Sequence, residues 1–299
     1  MLWLTIIILS YLFFALASLG DKIILSGPAK PKSYTFYVGL LSILVVFIIP
    51  FVEFGWPSNT GLTFIILEAL VYVAGLYALF YALEHFEVSK VIPTIGATQP
   101  IIIALLSIFF WGKLDIGTKE IVAFIVLLIG SVLISMDKSP KITRKSLEIS
   151  LITAVLFSLD FIFSKFVYTE MDFWQGFIWM RIFSCLFVMI FLFDRGFRKE
   201  FSDGKKNPNK KTGMFFVITQ GAGGLANVLQ SLAISLVPVS YLAIMNSMKG
   251  IQYVFLFIMV ALISHFLPKI LKEETNKMII IQKIVSILII GLGLAILVI

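Results

Sequence analysis

Five ionisable side chains interrupt the long apolar runs of this sequence: Glu68, Asp160, Lys165, Arg181 and Lys249. A charge at the centre of a bilayer costs about 2.5–3.5 kcal/mol on insertion scales. Such groups therefore pair with one another, face a wet cavity or contact a polar cargo. A carboxylate placed this way can carry a proton or cation, and a lysine or arginine can hold an anion. Asp160 is the deepest acid, roughly 12 Å from the nearer end of its helix at 1.5 Å per residue. It reads equally as a carrier and as half of a structural salt bridge to Arg181. Lys249 lies in Asn246-Ser-Met-Lys-Gly250, a polar interruption about 15 Å into its segment. That is too deep for easy snorkelling, and contact with a substrate anion is the favoured reading. Glu68 is nearer the end of its segment and reads as either a rim or a site residue.

Uncharged polar groups accompany these five. Gln99 stands in Pro93-Thr-Ile-Gly-Ala-Thr-Gln-Pro100, whose prolines remove helix hydrogen bonds and tend to kink or open a helix. Asn227 and Gln230 follow Gln220-Gly-Ala-Gly-Gly224. Those glycines allow close helix packing, which is their plain explanation. Candidate substrate contacts are thus Asp160, Lys165, Arg181, Lys249, Asn227, Asn246, Glu68 and Gln99. Trp3, Trp56, Trp111 and Trp174 fall near segment ends, as an interfacial belt requires. Trp179 is deeper and is a candidate cavity wall.

The surrounding chain decides what can position these residues. Of 299 residues 60% are hydrophobic, only 14% are charged, and the mean hydropathy is +1.03. A soluble surface needs about 25% charged residues, so a soluble enzyme, a nucleic-acid-binding domain and a disordered chain are excluded. One cysteine and two separated histidines leave no disulfide framework and no metal-ligand spacing. No P-loop, GxSxG elbow or HExxH is present. The expectation is a protein without cofactor or metal, and not an enzyme.

A membrane-spanning helix needs about 20 mostly apolar residues. Ten such segments are predicted at 3–25, 34–52, 62–83, 88–110, 118–136, 147–168, 173–193, 213–236, 239–267 and 279–299. The first has no basic n-region or clear cleavage site, so it is expected to be a retained helix rather than a signal peptide. Counting residues at segment ends with the adjoining connection, eighteen of the 24 basic residues belong to odd-numbered connections and two to even-numbered ones. Basic loops stay in the cytoplasm, so both termini are expected outside. The expected location is the plasma membrane of a prokaryotic cell.

The order of features repeats. Phe14 and Lys22 match Phe157 and Lys165. Ala82 to Val91 parallels Ala233 to Leu242, and the Gly130 region parallels that of Gly291. The halves are then 1–137 and 138–299, with five helices each. An odd number inverts the second half, the arrangement used for alternating access around a midplane site.

Ten helices in two halves, Ala-x5-Val-Ser before the fourth and ninth segments, Lys near the ends of the first and sixth, and the Pro93–Pro100 stretch resemble the EamA-like branch of the drug/metabolite transporter superfamily. This chain has Gly112-Lys113 where members often carry Gly-Glu, and Ile251 where Pro100 would align. The resemblance implies a fold and a transport class, and it places Lys165 near the central region. For Lys22, snorkelling is the simpler reading. The sequence is thus read as an all-α, ten-helix secondary transporter. Its expected substrate is a small polar solute, anionic or zwitterionic and amino-acid-like. Proton coupling through Asp160 or Glu68 fits this reading. The lipid bilayer is the other expected partner, and nucleic acid is not one. A sensor or lipid-handling scaffold is the alternative class.

Overall fold

In a bilayer the backbone must satisfy its own hydrogen bonds, so apolar runs of this length become helices. The computed structural model describes residues 2–24, 31–86, 88–112, 115–136, 143–198, 210–266 and 277–298. It contains α1 (Leu2–Ile24), α2 (Pro31–Leu41), α3 (Asn59–His85), α4 (Val88–Trp111), α5 (Thr118–Ser135) and α6 (Arg144–Glu170). These are followed by α7 (Phe173–Val188), α8 (Lys210–Leu236), α9 (Leu242–Ser247), α10 (Gly250–Phe266) and α11 (Lys277–Val298). The chain is a polytopic α-helical membrane protein. Among the described residues, nine helical stretches are long and apolar enough to cross a membrane. The expected segment 213–236 forms α8, which carries Gln220, Asn227 and Gln230.

Several elements depart from uniform α-helix. The second segment tightens to a 3-10 helix at Ser42–Phe51, where the Ser42 hydroxyl donates to the Gly39 carbonyl at 2.6 Å. Such a side chain competes with the helix ladder. The seventh segment tightens likewise at Met189–Phe193. The ninth segment is divided into α9 and α10. The fourth, by contrast, is not opened by its two prolines. Val88–Trp111 is helical throughout, and Thr94 and Thr98 donate back to the Lys90 and Thr94 carbonyls at 2.7 Å each.

The packing has a paired pattern. Helix α1 lies along α8, and α3 lies along α6. Helices α5 and α11 cross at each other's glycines: a Cβ on Gly130 would sit 2.7 Å from Ile290, and one on Gly293 would sit 2.8 Å from Leu127. At one end of the bundle the Trp3 ring meets Tyr241, whose hydroxyl donates to Glu120 at 3.1 Å. At the other, Gln282 donates to the Leu133 and Met136 carbonyls, and Lys32 pairs with Asp194. The largest core cluster runs from Trp3 and Tyr11 through Leu127 and Phe161 to Met245 and Ile290.

Candidate functional site

The expected site residues separate into three places. The first lies between α3, α6 and α7. Arg181 Nη2 donates to Glu68 Oε1 at 2.5 Å, with both side chains buried. The guanidinium also stacks 4.2 Å over the Tyr72 ring and 5.4 Å from that of Phe177. Asp160 lies within hydrogen-bonding reach of Glu68 and within the field of Arg181. It is half-buried, whereas Glu68 is fully buried. The partner of Arg181 is thus Glu68, and Asp160 stands beside the pair. Helix α3 starts at Asn59 and places Glu68 about 14 Å inside at 1.5 Å per residue, well away from the rim.

The contacts in this cluster are unfinished. Glu68 Oε2 and Arg181 Nε and Nη1 are buried without hydrogen-bond partners. Buried polar groups are ordinarily satisfied. Two ionised carboxylates offer no donor to one another, which leaves Glu68 Oε2 bare.

The second place is the division between α9 and α10. Here the backbone bonds shorten to i→i−3: Met248 N–H to the Met245 carbonyl, Lys249 to Asn246, Ile251 to Met248 and Gln252 to Lys249. Ser131 of α5 holds the turn. Its hydroxyl donates to the Ser247 carbonyl at 2.6 Å and accepts from Gly250 N–H at 2.9 Å. Gly250 is required by this approach, since a Cβ would lie 2.3 Å from Ser131 Oγ and 2.7 Å from its Cα. Helix α1 runs alongside: Tyr11 donates to the Met245 carbonyl at 3.0 Å, and Gln252 to Ser18 at 3.3 Å. Lys249 falls between these anchors. Among the described residues no acid pairs with it, and no charged group acts on it. Asn246, three residues earlier, is buried with its Oδ1 unpartnered. Neighbours at that spacing share a helix face.

The third place belongs to Lys165. Its Nζ donates to the carbonyls of Ile234 at 3.2 Å, Ser235 at 3.0 Å and Val237 at 2.7 Å. These lie at the C-terminus of α8, where carbonyls lack helix partners and a cation suits the dipole. All three ammonium donors are used by the scaffold, so Lys165 stands apart from both clusters. The side chain of Lys22, its counterpart by sequence, lies outside the described residues.

The amides divide similarly. Gln99 is buried on α4, its carbonyl accepting from Ser158 of α6 at 3.2 Å and its Oε1 unpartnered. Asn227 is half-buried on α8, beside Ala226, whose carbonyl accepts from Ser10 at 2.7 Å. Trp179 packs at the end of the bundle: its indole N–H and Gln175 both donate to the Gly55 carbonyl. Tyr72 and Tyr168 were not among the candidates. Tyr72 follows Glu68 by four residues on one face, a detectable signal. Tyr168 lines a cavity of about 560 Å³ with Trp56, Ser58, Glu170, Asp172 and Gln175, and its hydroxyl is buried without a partner.

Apolar helices enclosing these charged clusters define a polytopic membrane protein. Residues 1–136 match the EamA-like transporter family, a branch of the drug/metabolite transporter superfamily, and the resemblance drawn from the sequence holds there. This is a family of transporters rather than enzymes, and the match covers the first 136 of the 299 residues. No curated protein matches. Among the solved structures of similar fold, one crystal structure superposes with a TM-score of 0.67. The two chains share 12% identity over 98% of this chain and 96% of the other, which speaks to the fold alone.

Proposed function

We propose that this protein is a secondary transporter that moves a small anionic or zwitterionic metabolite, amino-acid-like in chemistry, by alternating access. The observation that carries the reading is Lys249, an internal cation without a counter-ion, set three residues from the unpartnered Asn246 Oδ1. A substrate carboxylate would complete the lysine, and a substrate N–H or O–H would complete the amide. Asn227 and Gln99 are further candidate contacts. In this reading the halves are 1–137 and 138–299. The mirrored pairings α1 with α8 and α6 with α3, and the reciprocal α5–α11 crossing, support that division. The location is the cell membrane, with the basic connections in the cytoplasm and both termini outside. Coupling to protons runs through Asp160 or Glu68.

The test is uptake and counterflow in proteoliposomes across a panel of amino acids and small carboxylates. A charge-assisted hydrogen bond contributes about 1.5–3 kcal/mol, so Lys249→Met should weaken apparent substrate affinity about ten- to a hundredfold. Unchanged transport by this variant would overturn the site. Wild-type protein that moves no solute would overturn the class.

A further inference from the structure

We propose that Glu68 and Asp160 act as one unit holding a single exchangeable proton, which Arg181 replaces when it leaves, and that this proton drives transport. The inference deepens the transporter reading and rests on it. Glu68 is paired with Arg181, and Asp160, on the helix packed along α3, lies within hydrogen-bonding reach of Glu68 and in the field of the same guanidinium. If both were ionised, the cluster would carry one uncompensated negative charge in a low-dielectric interior. One proton restores neutrality and supplies the donor that Glu68 Oε2 lacks.

The spare contacts of Arg181 supply the second state. Only Nη2 is engaged, by Glu68, while Nε and Nη1 are buried and free. When the shared proton leaves to water, both carboxylates are ionised and no longer joined by a hydrogen bond. An unused guanidinium N–H can then take the Asp160 carboxylate, so that Arg181 bridges both acids. No other bond is made or broken. Asp160 is on α6 and Arg181 on α7, so the exchange draws these helices together around α3. Proton occupancy is thereby linked to helix position, as alternating access demands.

The nearest opening toward the bundle end is marked by Tyr168. Tyr168 follows Asp160 by eight residues on the same helix and lines the 560 Å³ cavity at the bundle end. The other titratable and charged groups acting on the cluster, among the described residues, are Tyr72 of α3 and Tyr168 of α6, besides Arg181 of α7. Lys249 does not act on it, so proton and substrate occupy separate places.

The test is infrared difference spectroscopy of the purified protein, followed in the protonated-carboxyl C=O stretch. Wild type should show one such band at neutral pH. Glu68→Gln and Asp160→Asn should each remove it, and Lys249→Met should retain it. In proteoliposomes, Asp160→Asn should lose accumulation driven by a pH gradient. The proposal is overturned if the wild-type band is absent, if either acid variant leaves it intact, or if gradient-driven accumulation survives in Asp160→Asn. A band that responds to sodium rather than pH assigns a metal cation and equally overturns it. Failure of the transporter reading itself shows differently, as wild-type protein that moves no solute whatever its infrared spectrum.

Discussion

Lys165 and Lys249 are both lysines set within apolar helices, yet the bundle treats them in opposite ways. Lys165 meets three carbonyls at the end of α8. Lys249 meets no acid, although the surrounding turn is closely tied by Ser131, Tyr11 and Gln252. A cation at either position carries a cost within the membrane. What differs is whether the scaffold supplies the partners. A satisfied charge holds the fold together, and an unsatisfied one is a demand on something that binds.

The sharpest way to break this comparison is to remove each charge in turn. Lys165→Met would strand three buried carbonyls and remove charge-assisted bonds worth about 1.5–3 kcal/mol each in the general case. Bilayer and detergent references lower that, since polar contacts among membrane helices average about 0.6 kcal/mol. A net loss of about 2–3 kcal/mol is expected in a denaturant titration in micelles. Lys249→Met removes a half-buried charge without a counter-ion, so stability should hold or rise while substrate affinity falls. If Lys249→Met were the more destabilising of the two, the assignment of scaffold and site would be reversed.

A smaller effect sharpens the view that the Lys249 turn is rigidly held. Gly250→Ala places a methyl 2.7 Å from the Ser131 Cα, where backbone rather than a pliant side chain must move. Overpacking of this sort costs about 1–3 kcal/mol. Ser131→Ala removes the two hydrogen bonds spanning the turn and should cost less, about 1 kcal/mol. Combining the two should be less harmful than the sum, since each disturbs the same contact. Strict additivity in a double-mutant cycle would show that α5 does not set the geometry of the turn.

These contrasts also show where the sequence was readable. The long apolar runs specified the helices because lipid leaves the backbone no other arrangement. The intramembrane charges were visible for the same reason: each is costly enough to need an explanation. Partners were less visible. A salt bridge from Arg181 to Asp160 in the adjacent segment was one of two even readings, but α3 packs along both α6 and α7 and brings in Glu68 as the partner. Lys165 looked like a site residue because nothing local reveals that the end of α8 lies against it, 69 to 72 residues away. The prolines around Gln99 suggested an opened helix. Packing against α6 and the threonine bonds keep α4 continuous. Composition and period report the medium and the element, whereas pairing depends on which faces meet.

The smallest expected effect lies outside the membrane, where a charge has both partner and water. Asp194 pairs with Lys32 and accepts from the Phe197 N–H at 3.0 Å. The Lys32 ammonium, with that backbone bond, holds the Asp194 carboxyl below its ordinary range. A group depressed in the folded state stabilises at all pH above its unfolded value, and that gain is lost as pH falls through the folded value. The tie between the start of α2 and the residue after the α7 segment should therefore persist from neutral pH down to about the usual aspartate value of 3.9, then fade below it. Both side chains are well exposed, so water and salt screen the pair. Asp194→Asn keeps an acceptor for Phe197 and should shift the neutral-pH unfolding midpoint only slightly, less so in high salt. A loss as large as that of Lys165→Met would mean that exposure does not divide weak charges from strong ones in this bundle.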